Sequence, residues 1–245
     1  MRFSKNLLKL LPKELKGALW QDQISLEALL KFRAAAPYDF SAQYMQEPTP
    51  STDGVFKESY FRFFDCPTEI PEIETIGIFL DTAQKVQEHN DFTVMQAWAK
   101  AGNSIYLMDQ VRGKFEAPQL YTETINFFNK WKSCWQNPHF AKEIHIEDAS
   151  SGSSLIQQLR HDTNILIVPI KRIINKGVRI QGCVNYFAQG KVYFKRAHFT
   201  DDLLHEFRSY KRDNSHKHDD QIDPCVDAVD TLLVNNMTIY REGLI

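Results

Sequence analysis

The chain has 245 residues and a formal net charge of −2, with 43% hydrophobic and 24% charged residues. This composition is ordinary for a soluble globular protein, and it excludes a nucleic-acid binder that acts through overall positive charge, so any such surface must be local. No apolar run is long enough to span a membrane and no secretory leader is present, so we expect a protein of the cytoplasm without a membrane partner.

Two kinds of site are missing from the sequence. The four cysteines, Cys66, Cys134, Cys183 and Cys225, are far apart and form no CxxC pair, which argues against a zinc ribbon or a disulfide framework. The phosphate-binding pattern G-x-x-x-x-G-K-[ST] is also absent. We therefore expect any ATP chemistry of this system to reside on another chain or on a missing segment.

The first quarter of the chain predicts an arm and not an independent domain. Residues 1–35 carry helical patterns that are interrupted at Pro12. A loop rich in proline and glycine follows, and the aromatic stretch ESYFRFF occupies residues 58–64.

The central part of the chain predicts a three-stranded antiparallel meander. The segment TIGIFLDTA (75–83) is a short apolar run that ends in one carboxylate, as a buried strand would. Residues 92–102 and 104–113 are rich in β-forming residues and are separated by a Gly-Asn turn signal.

Helices and strands then alternate to the end of the chain. The predicted elements are a helix at 117–135, a strand at 142–149 followed by a capped helix (SSGSSLIQQLRHD), a strand at 164–170, a helix at 175–190 and a last helix at 223–235. The resulting order fits an α/β fold, in which an antiparallel meander and parallel strands form one mixed sheet with helices on both faces. This is the RNase H-like arrangement, although the order alone does not distinguish it from other α/β folds.

Carboxylates stand at the ends of predicted elements. Asp81 closes the first predicted strand and Glu147 closes the fourth, so their side chains meet if these two strands are parallel neighbours. Asp219 and Asp220, just before the last helix, can supply a third carboxylate. Converging carboxylates cannot all stay ionised without a cation, and oxygen ligands favour Mg²⁺ or Mn²⁺. Two such ions about 4 Å apart would serve phosphodiester cleavage.

Structural interpretations of the same residues stay open. Asp81 can be a loop cap, and Glu147 with Asp148 can cap the following helix. Asp223 precedes Pro224, which is typical of an N-cap followed by proline at the first helical position.

A zinc site is the alternative for the stretch SHKHDDQIDPCVDAV. It would use His216, His218 and Cys225, but no further histidine or cysteine pair completes four ligands.

A basic segment follows the second acidic motif. Residues 163–200 contain no Asp or Glu but seven cations: Lys171, Arg172, Lys176, Arg179, Lys191, Lys195 and Arg196. The segment predicts either a surface that follows phosphates beside the acidic site or a solvated helix face beside buried strands.

In order along residues 40–235, the chain resembles the C-terminal nuclease domain of the large terminase subunit of tailed phages. The resemblance is carried by GIFLDTAQKVQEHNDFTVMQAW, YLMDQVRGKFEAPQL, IHIEDASSGSSLIQQL, KGVRIQGCVNYFAQGKVYF and HDDQIDPCVDAV, after the connector-like FSAQYMQEPTPSTDGVFKESYFRFF. No single piece is decisive, but six in the correct order are hard to produce by chance. We assign residues 1–65 to an N-terminal helical arm and connector and 66–245 to the RNase H-like nuclease domain.

The resemblance implies an endonuclease that cuts concatemeric viral DNA by a two-metal-ion mechanism with Mg²⁺ or Mn²⁺. The residues it implies as metal ligands and catalytic groups are Asp81, Glu147, Asp219 and Asp220, and those implied as DNA contacts are Lys176 and Arg179, beside Lys171 and Arg172. The implied partners are double-stranded DNA, the terminase ATPase domain or chain, the small terminase subunit and the portal, in the cytoplasm of a host bacterium.

Two departures from the family pattern qualify this expectation. The ATPase domain is absent, so the chain is expected to be a fragment, a split-gene product or a prophage remnant. Pro224 follows the closing motif where the family more often has a helix former. This proline can move the helix start towards Asp223 and change the direction of Asp219 and Asp220, which would weaken activity. The competing hypotheses are a catalytically silent DNA- or partner-binding module and another RNase H-like nuclease, such as a junction resolvase or a nuclease of RNA–DNA hybrids.

Overall fold

The structure, a computed structural model, describes residues 25–35, 44, 54–82, 92–133, 141, 143–149, 151–211 and 219–234. The chain forms two compact units, Met1–Thr52 and Asp53–Ile245. The first contains helix α1 (Leu26–Ala35), and the predicted helical stretch before it lies outside the described residues. The domain division at residue 65 stays a prediction.

The second unit is built on one mixed sheet. Its strands are β1 (Arg62–Phe64), β2 (Thr75–Asp81), β3 (Thr93–Ala101), β4 (Ser104–Gly113), β5 (Glu143–Glu147), β6 (Leu166–Ile170) and β7 (Val192–Lys195). They lie in the order β1-β7-β4-β3-β2-β5-β6. The pairs β2–β3 and β3–β4 are antiparallel, whereas β2–β5, β5–β6, β4–β7 and β1–β7 are parallel.

Helices cover both faces of this sheet. They are α2 (Ala117–Ser133), α3 (Ser151–Asp162), α4 (Lys176–Ala188), α5 (His198–Ser209) and α6 (Ile222–Val229), which a π-helical turn at Asp230–Val234 extends. Helix α4 begins where the side chain of Asn175 accepts a hydrogen bond from the backbone N–H of Gly177, and the chain leaves it through Gly190 at φ +69°.

Two hydrophobic clusters fill the space between the sheet and its helices. Apolar residues of α2 and α3 pack with Ile78, Leu80 and Ile146 on one face. Apolar residues of α4, α5 and α6 pack with Phe79 and Trp98 on the other. Because successive side chains of a strand point to opposite faces, the side chains that end β2 and β5 turn towards the face covered by α4, α5 and α6.

The predicted fold class is confirmed: the mixed sheet contains the antiparallel meander, parallel strands and helices on both faces. Three elements, β1, β7 and α5, have no predicted counterpart. Strands β1 and β7 span only three and four residues, too few for a periodic pattern to identify, and they exist because they pair in parallel with each other and with β4. No helix in the described part of the chain combines the length and apolar character needed to cross a membrane.

Candidate active site

Asp81 and Glu147 meet at the carboxyl ends of two neighbouring strands. Strands β2 and β5 are parallel, and the register that pairs Leu80 with Ile146 places the next residue of each strand side by side. The two carboxyl groups lie close enough for Glu147 to raise the pKa of Asp81. The juxtaposition predicted from strand order is therefore present.

The start of α6 brings further carboxylates to the same place. Asp219, Asp220 and Asp223 line one open pocket of about 580 Å³ together with Asp81 and Glu147. Asp223 does not cap the helix, contrary to the sequence-based interpretation. Helix α6 begins at Ile222 after Gln221, so Asp223 lies within its first turn and points into the pocket, and Pro224 is not the first helical residue.

Three of the four predicted DNA-contacting cations bind these carboxylates instead of facing solvent. Arg172 Nη1 lies 2.9 Å from Glu147 Oε2 and 3.4 Å from Asp81 Oδ2. Arg179 Nη2 lies 2.9 Å from Asp223 Oδ1.

Lys176 occupies a more exposed place at the edge of the pocket. Its Nζ lies 2.5 Å from Asp219 Oδ2 and also 2.5 Å from Asp223 Oδ2. Lys171, the fourth predicted DNA contact, is exposed and lines a neighbouring pocket.

Burial and mutual repulsion perturb the acidic groups. The pKa of Asp81 is raised well above its usual value, first because burial disfavours its charged form and then because Asp223 and Glu147 are close, although Arg172 opposes this. Burial lowers the pKa of the Lys176 ammonium, but Asp223 and Asp219 outweigh that effect and the net pKa is raised. The same balance holds at Arg172, where Asp81, Asp227 and Asp223 outweigh burial and raise the pKa.

Asp227 and Asp230 also belong to this region, although they were not predicted as site residues. Asp227 is 5% exposed and accepts hydrogen bonds from Arg172 at 2.7 Å and from Arg179 at 3.0 Å. Burial and the nearby Asp227 raise the pKa of Asp230 to about 6. A signal was present in the sequence, since Asp223, Asp227 and Asp230 recur at helical spacing along DPCVDAVD.

A network of buried amides fixes the start of α6. Gln221 Oε1 accepts a hydrogen bond from Gln110 Nε2 at 2.6 Å, and the Gln221 backbone carbonyl accepts one from Gln96 Nε2 at 3.0 Å. The Gln221 side chain and backbone N–H both donate to Glu206, at 2.8 and 3.0 Å. Strands β3 and β4 and helix α5 thus hold the residue between Asp220 and the first turn of α6.

Asp220 is directed towards this anchor. Its Oδ2 lies 3.5 Å from Arg112 Nη2, which is 3.1 Å from Glu206 Oε1. Asp220 therefore shares its cation with a structural glutamate, whereas Asp219 shares Lys176 with Asp223.

A close backbone approach positions Glu147. A Cβ on Gly152 would lie 2.1 Å from the Glu147 carbonyl oxygen and 3.2 Å from Thr82 Oγ1. Only glycine therefore allows the first turn of α3 to lie against the end of β5. The neighbouring Asp148 points elsewhere and accepts a hydrogen bond from Ser153 Oγ at 2.8 Å.

The zinc alternative gains no support from Cys225. Its side chain is fully buried in the core, and burial raises the pKa of the thiol well above its usual value, whereas a zinc ligand is a thiolate. His216 and His218 lie outside the described residues. Within the described ranges, no three His, Cys, Asp or Glu residues are grouped so that they could hold a metal ion.

The carboxylates nevertheless suit a hard cation in their chemistry. Asp81, Glu147, Asp219 and Asp223 supply only oxygen donors, which Mg²⁺ and Mn²⁺ prefer. The guanidinium of Arg172 binds Asp81 and Glu147. The ammonium of Lys176 binds Asp219 and Asp223.

Comparison with known proteins decides the family. Residues 78–232 match the model of the terminase RNaseH-like domain, a range that runs from β2 into the π-helical turn and includes every carboxylate of the pocket. The chain belongs to this terminase family. The resemblance found in the sequence motifs is thus confirmed, while the roles of the individual residues stay predictions.

Solved structures share the terminase fold at low sequence identity. The large terminase of a thermophilic bacteriophage superposes with a TM-score of 0.62 at 13% identity over 86% of this chain and 53% of that one. The human cytomegalovirus terminase nuclease domain gives 0.54 at 13% identity, over 73% and 97% of the two chains.

The large terminase nuclease of the thermophilic phage G20c, solved with bound magnesium, gives a TM-score of 0.51 at 13% identity, over 72% and 96% of the two chains. This chain therefore spans about half the length of the bacteriophage large terminase and nearly the whole of the two terminase nuclease domains. No curated protein sequence matches it.

Proposed function

We propose that this chain is a Mg²⁺- or Mn²⁺-dependent DNA endonuclease that cuts concatemeric phage DNA during genome packaging. The observation that carries the proposal is the pocket in which a terminase-family chain brings Asp81 and Glu147, from two strand ends, against the acidic start of α6. Two-metal phosphodiester hydrolysis uses such a group of carboxylates to hold its ions.

Asp81, Glu147 and Asp223 are the residues proposed to hold the metal, with Asp219 and Asp220 as further candidates. A pair of divalent ions, when bound, would supply an activated water and stabilise the leaving oxygen. The magnesium bound to the G20c nuclease makes the same class of ion reasonable here. The apolar side chains of Phe92, Ile173 and Ile174 line the same pocket.

The cations around the pocket are proposed to bind the DNA backbone. Lys176 stands at the rim of the pocket, and Lys171 is exposed beside it, so both can approach a phosphate next to the carboxylates. Arg179 is more deeply placed and holds an acidic side chain, so we assign it to the reacting phosphate and not to the distant backbone. Arg172 holds Glu147 and Asp81, so we assign it to the carboxylates and not to DNA.

The proposed role of the cleavage in genome packaging rests on the family. Packaging requires an ATP-driven motor, and the bacteriophage large terminase, of which this chain spans about half, is the kind of protein that would supply it. We propose an ATPase domain or chain, the small terminase subunit, the portal and double-stranded DNA as partners, in the cytoplasm of a bacterial host.

Supercoiled plasmid DNA provides the test. With Mn²⁺ or Mg²⁺ the protein should produce nicked and linear forms, with EDTA it should produce none, and Asp81→Ala should be inactive. Cutting that survives Asp81→Ala contradicts the role of Asp81. Salt-sensitive DNA retention without cutting by the wild type would instead favour the silent binding module, and a preference for branched DNA or RNA–DNA hybrids would favour another RNase H-like nuclease.

A further inference from the structure

Arg172 lies at the centre of the acidic pocket. Its Nη1 is 2.9 Å from Glu147, 3.4 Å from Asp81 and 3.8 Å from Asp223. Its Nη2 is 2.7 Å from Asp227, and the side chain is 12% exposed. One guanidinium therefore contacts carboxylates from β2, β5 and α6 at once.

The positive charge of Arg172 lies where a metal ion would lie to neutralise the same carboxylates. An arginine side chain stays protonated at any working pH, so its charge cannot be removed to relieve competition. A guanidinium and a divalent ion repel each other and therefore compete for the same carboxylates. The lack of a group of three metal-binding residues among the described residues is consistent with carboxylates that are held apart by this side chain.

A second pocket next to Arg172 gives its side chain room to move. The side chain separates two pockets and lines both of them. The second pocket, of about 620 Å³, contains Asp227 and Asp230 but neither Asp81 nor Glu147. Because Nη2 already binds Asp227, the guanidinium can withdraw into the second pocket without losing its ion pair.

The chain segment next to Arg172 is weakly packed. Ile173 and Ile174, which follow it between β6 and α4, are 90% and 60% exposed. Few side-chain contacts oppose a change at this segment, which lies between the end of β6 at Ile170 and the start of α4 at Lys176.

We propose that Arg172 is the resident counter-cation of the pocket and competes with divalent metal for Asp81, Glu147 and Asp223. Arg172 then sets the metal affinity of the site: it neutralises the carboxylates before metal enters and moves towards Asp227 when it does. The inference rests on the proposed function only in that a divalent ion enters this pocket.

Calorimetric titration of the whole chain with Mn²⁺ tests the competition. Arg172→Gln removes the competing charge and should tighten Mn²⁺ binding about tenfold relative to the wild type. Arg208→Gln is the matched control, because Arg208 forms a two-pronged ion pair with Glu58 outside the pocket, and it should leave the affinity unchanged. Equal or weaker binding by Arg172→Gln, or no binding by either protein, would overturn the proposal.

A second variant changes the affinity in the opposite direction. Asp227→Asn removes the carboxylate that receives Arg172, so it should weaken Mn²⁺ binding, and an unchanged or tighter affinity would contradict the proposal. The rise in melting temperature on adding Mn²⁺ gives a separate reading and should be larger for Arg172→Gln than for the wild type. A protein that binds Mn²⁺ in this pattern but leaves DNA intact would retain the inference and refute the nuclease function.

Discussion

Asp81 and Glu147 stand side by side at the carboxyl ends of the parallel strands β2 and β5, and Arg172 Nη1 lies 3.4 Å from the first carboxylate and 2.9 Å from the second. Burial and the neighbouring Asp223 and Glu147 raise the pKa of Asp81, although Arg172 opposes this. Arg172 therefore links carboxylates that would otherwise repel each other, and a bound divalent ion would compete with it for them.

The first prediction separates the three aspartates at the start of α6. Asp223→Asn should abolish metal-dependent DNA cleavage, because Asp223 is the one of the three that contacts the Arg172 shared with Asp81 and Glu147. Asp220→Asn should retain more activity, since its carboxylate lies towards Arg112 and Glu206. Plasmid cleavage rates measured side by side check this order, and a more severe defect in Asp220→Asn would reverse our assignment.

The second prediction concerns the amide network. Gln221→Ala removes the buried hydrogen bonds that the Gln221 side chain makes with Gln110 and Glu206, so it should lower the free energy of unfolding by about 1–3 kcal/mol. The same change loosens the segment that carries Asp219 and Asp220, and cleavage should fall with it. Urea unfolding measures the first effect. Gln119→Ala, on the exposed side of α2, serves as the matched control and should shift stability much less.

The third prediction uses the close approach at Gly152. Gly152→Ala places a Cβ on the carbonyl oxygen of Glu147, so the end of β5 or the start of α3 must move. We expect a loss of about 1–3 kcal/mol in stability and a clear loss of cleavage in the protein that still folds. Gly182→Ala, in α4, meets no atom within 4 Å and should be stable and active. Equal behaviour of the two variants in thermal melts would contradict the packing argument.

The fourth prediction is a pH dependence that originates at Asp230. Its pKa in the folded protein is raised to about 6 by burial and by Asp227, so the folded state holds this proton more tightly than the unfolded state does. The group therefore destabilises the fold above about pH 6, and this effect fades as the pH falls towards the unfolded pKa of about 4. Asp230→Asn should stabilise the protein by about 1 kcal/mol at pH 8, allowing for its partial exposure, and by little at pH 4. Chemical unfolding at both pH values checks it, and a pH-independent gain would exclude Asp230 as the origin.

Strong local patterns made much of the sheet predictable. The apolar run before Asp81 and the paired β-rich segments around Gly102 and Asn103 carry their own signals, and parallel pairing of β2 and β5 follows from the fold class. Strands β1 and β7 lack such signals because their existence depends on neighbours that lie far away in the sequence.

The orientation of side chains at the pocket was less predictable. An aspartate before a proline is an ordinary N-cap, and only the position of Gln221, fixed by β3, β4 and α5, turns Asp223 inward instead. The seven cations of residues 163–200 were interpreted as a phosphate-binding surface or as a solvated helix face, but tertiary packing places Arg172 and Arg179 among carboxylates. Charge segregation along a chain does not reveal which charges become partners in the fold.

Two adjacent carboxylates allow the most direct test of the central claim, that the pocket cuts DNA. Glu147 lines the pocket, whereas Asp148 binds Ser153 and does not line it. In Mn²⁺-dependent plasmid cleavage, Glu147→Gln should be inactive while Asp148→Asn cuts at a rate close to that of the wild type. Cleavage that persists in Glu147→Gln, with both variants folded by circular dichroism, would contradict the account.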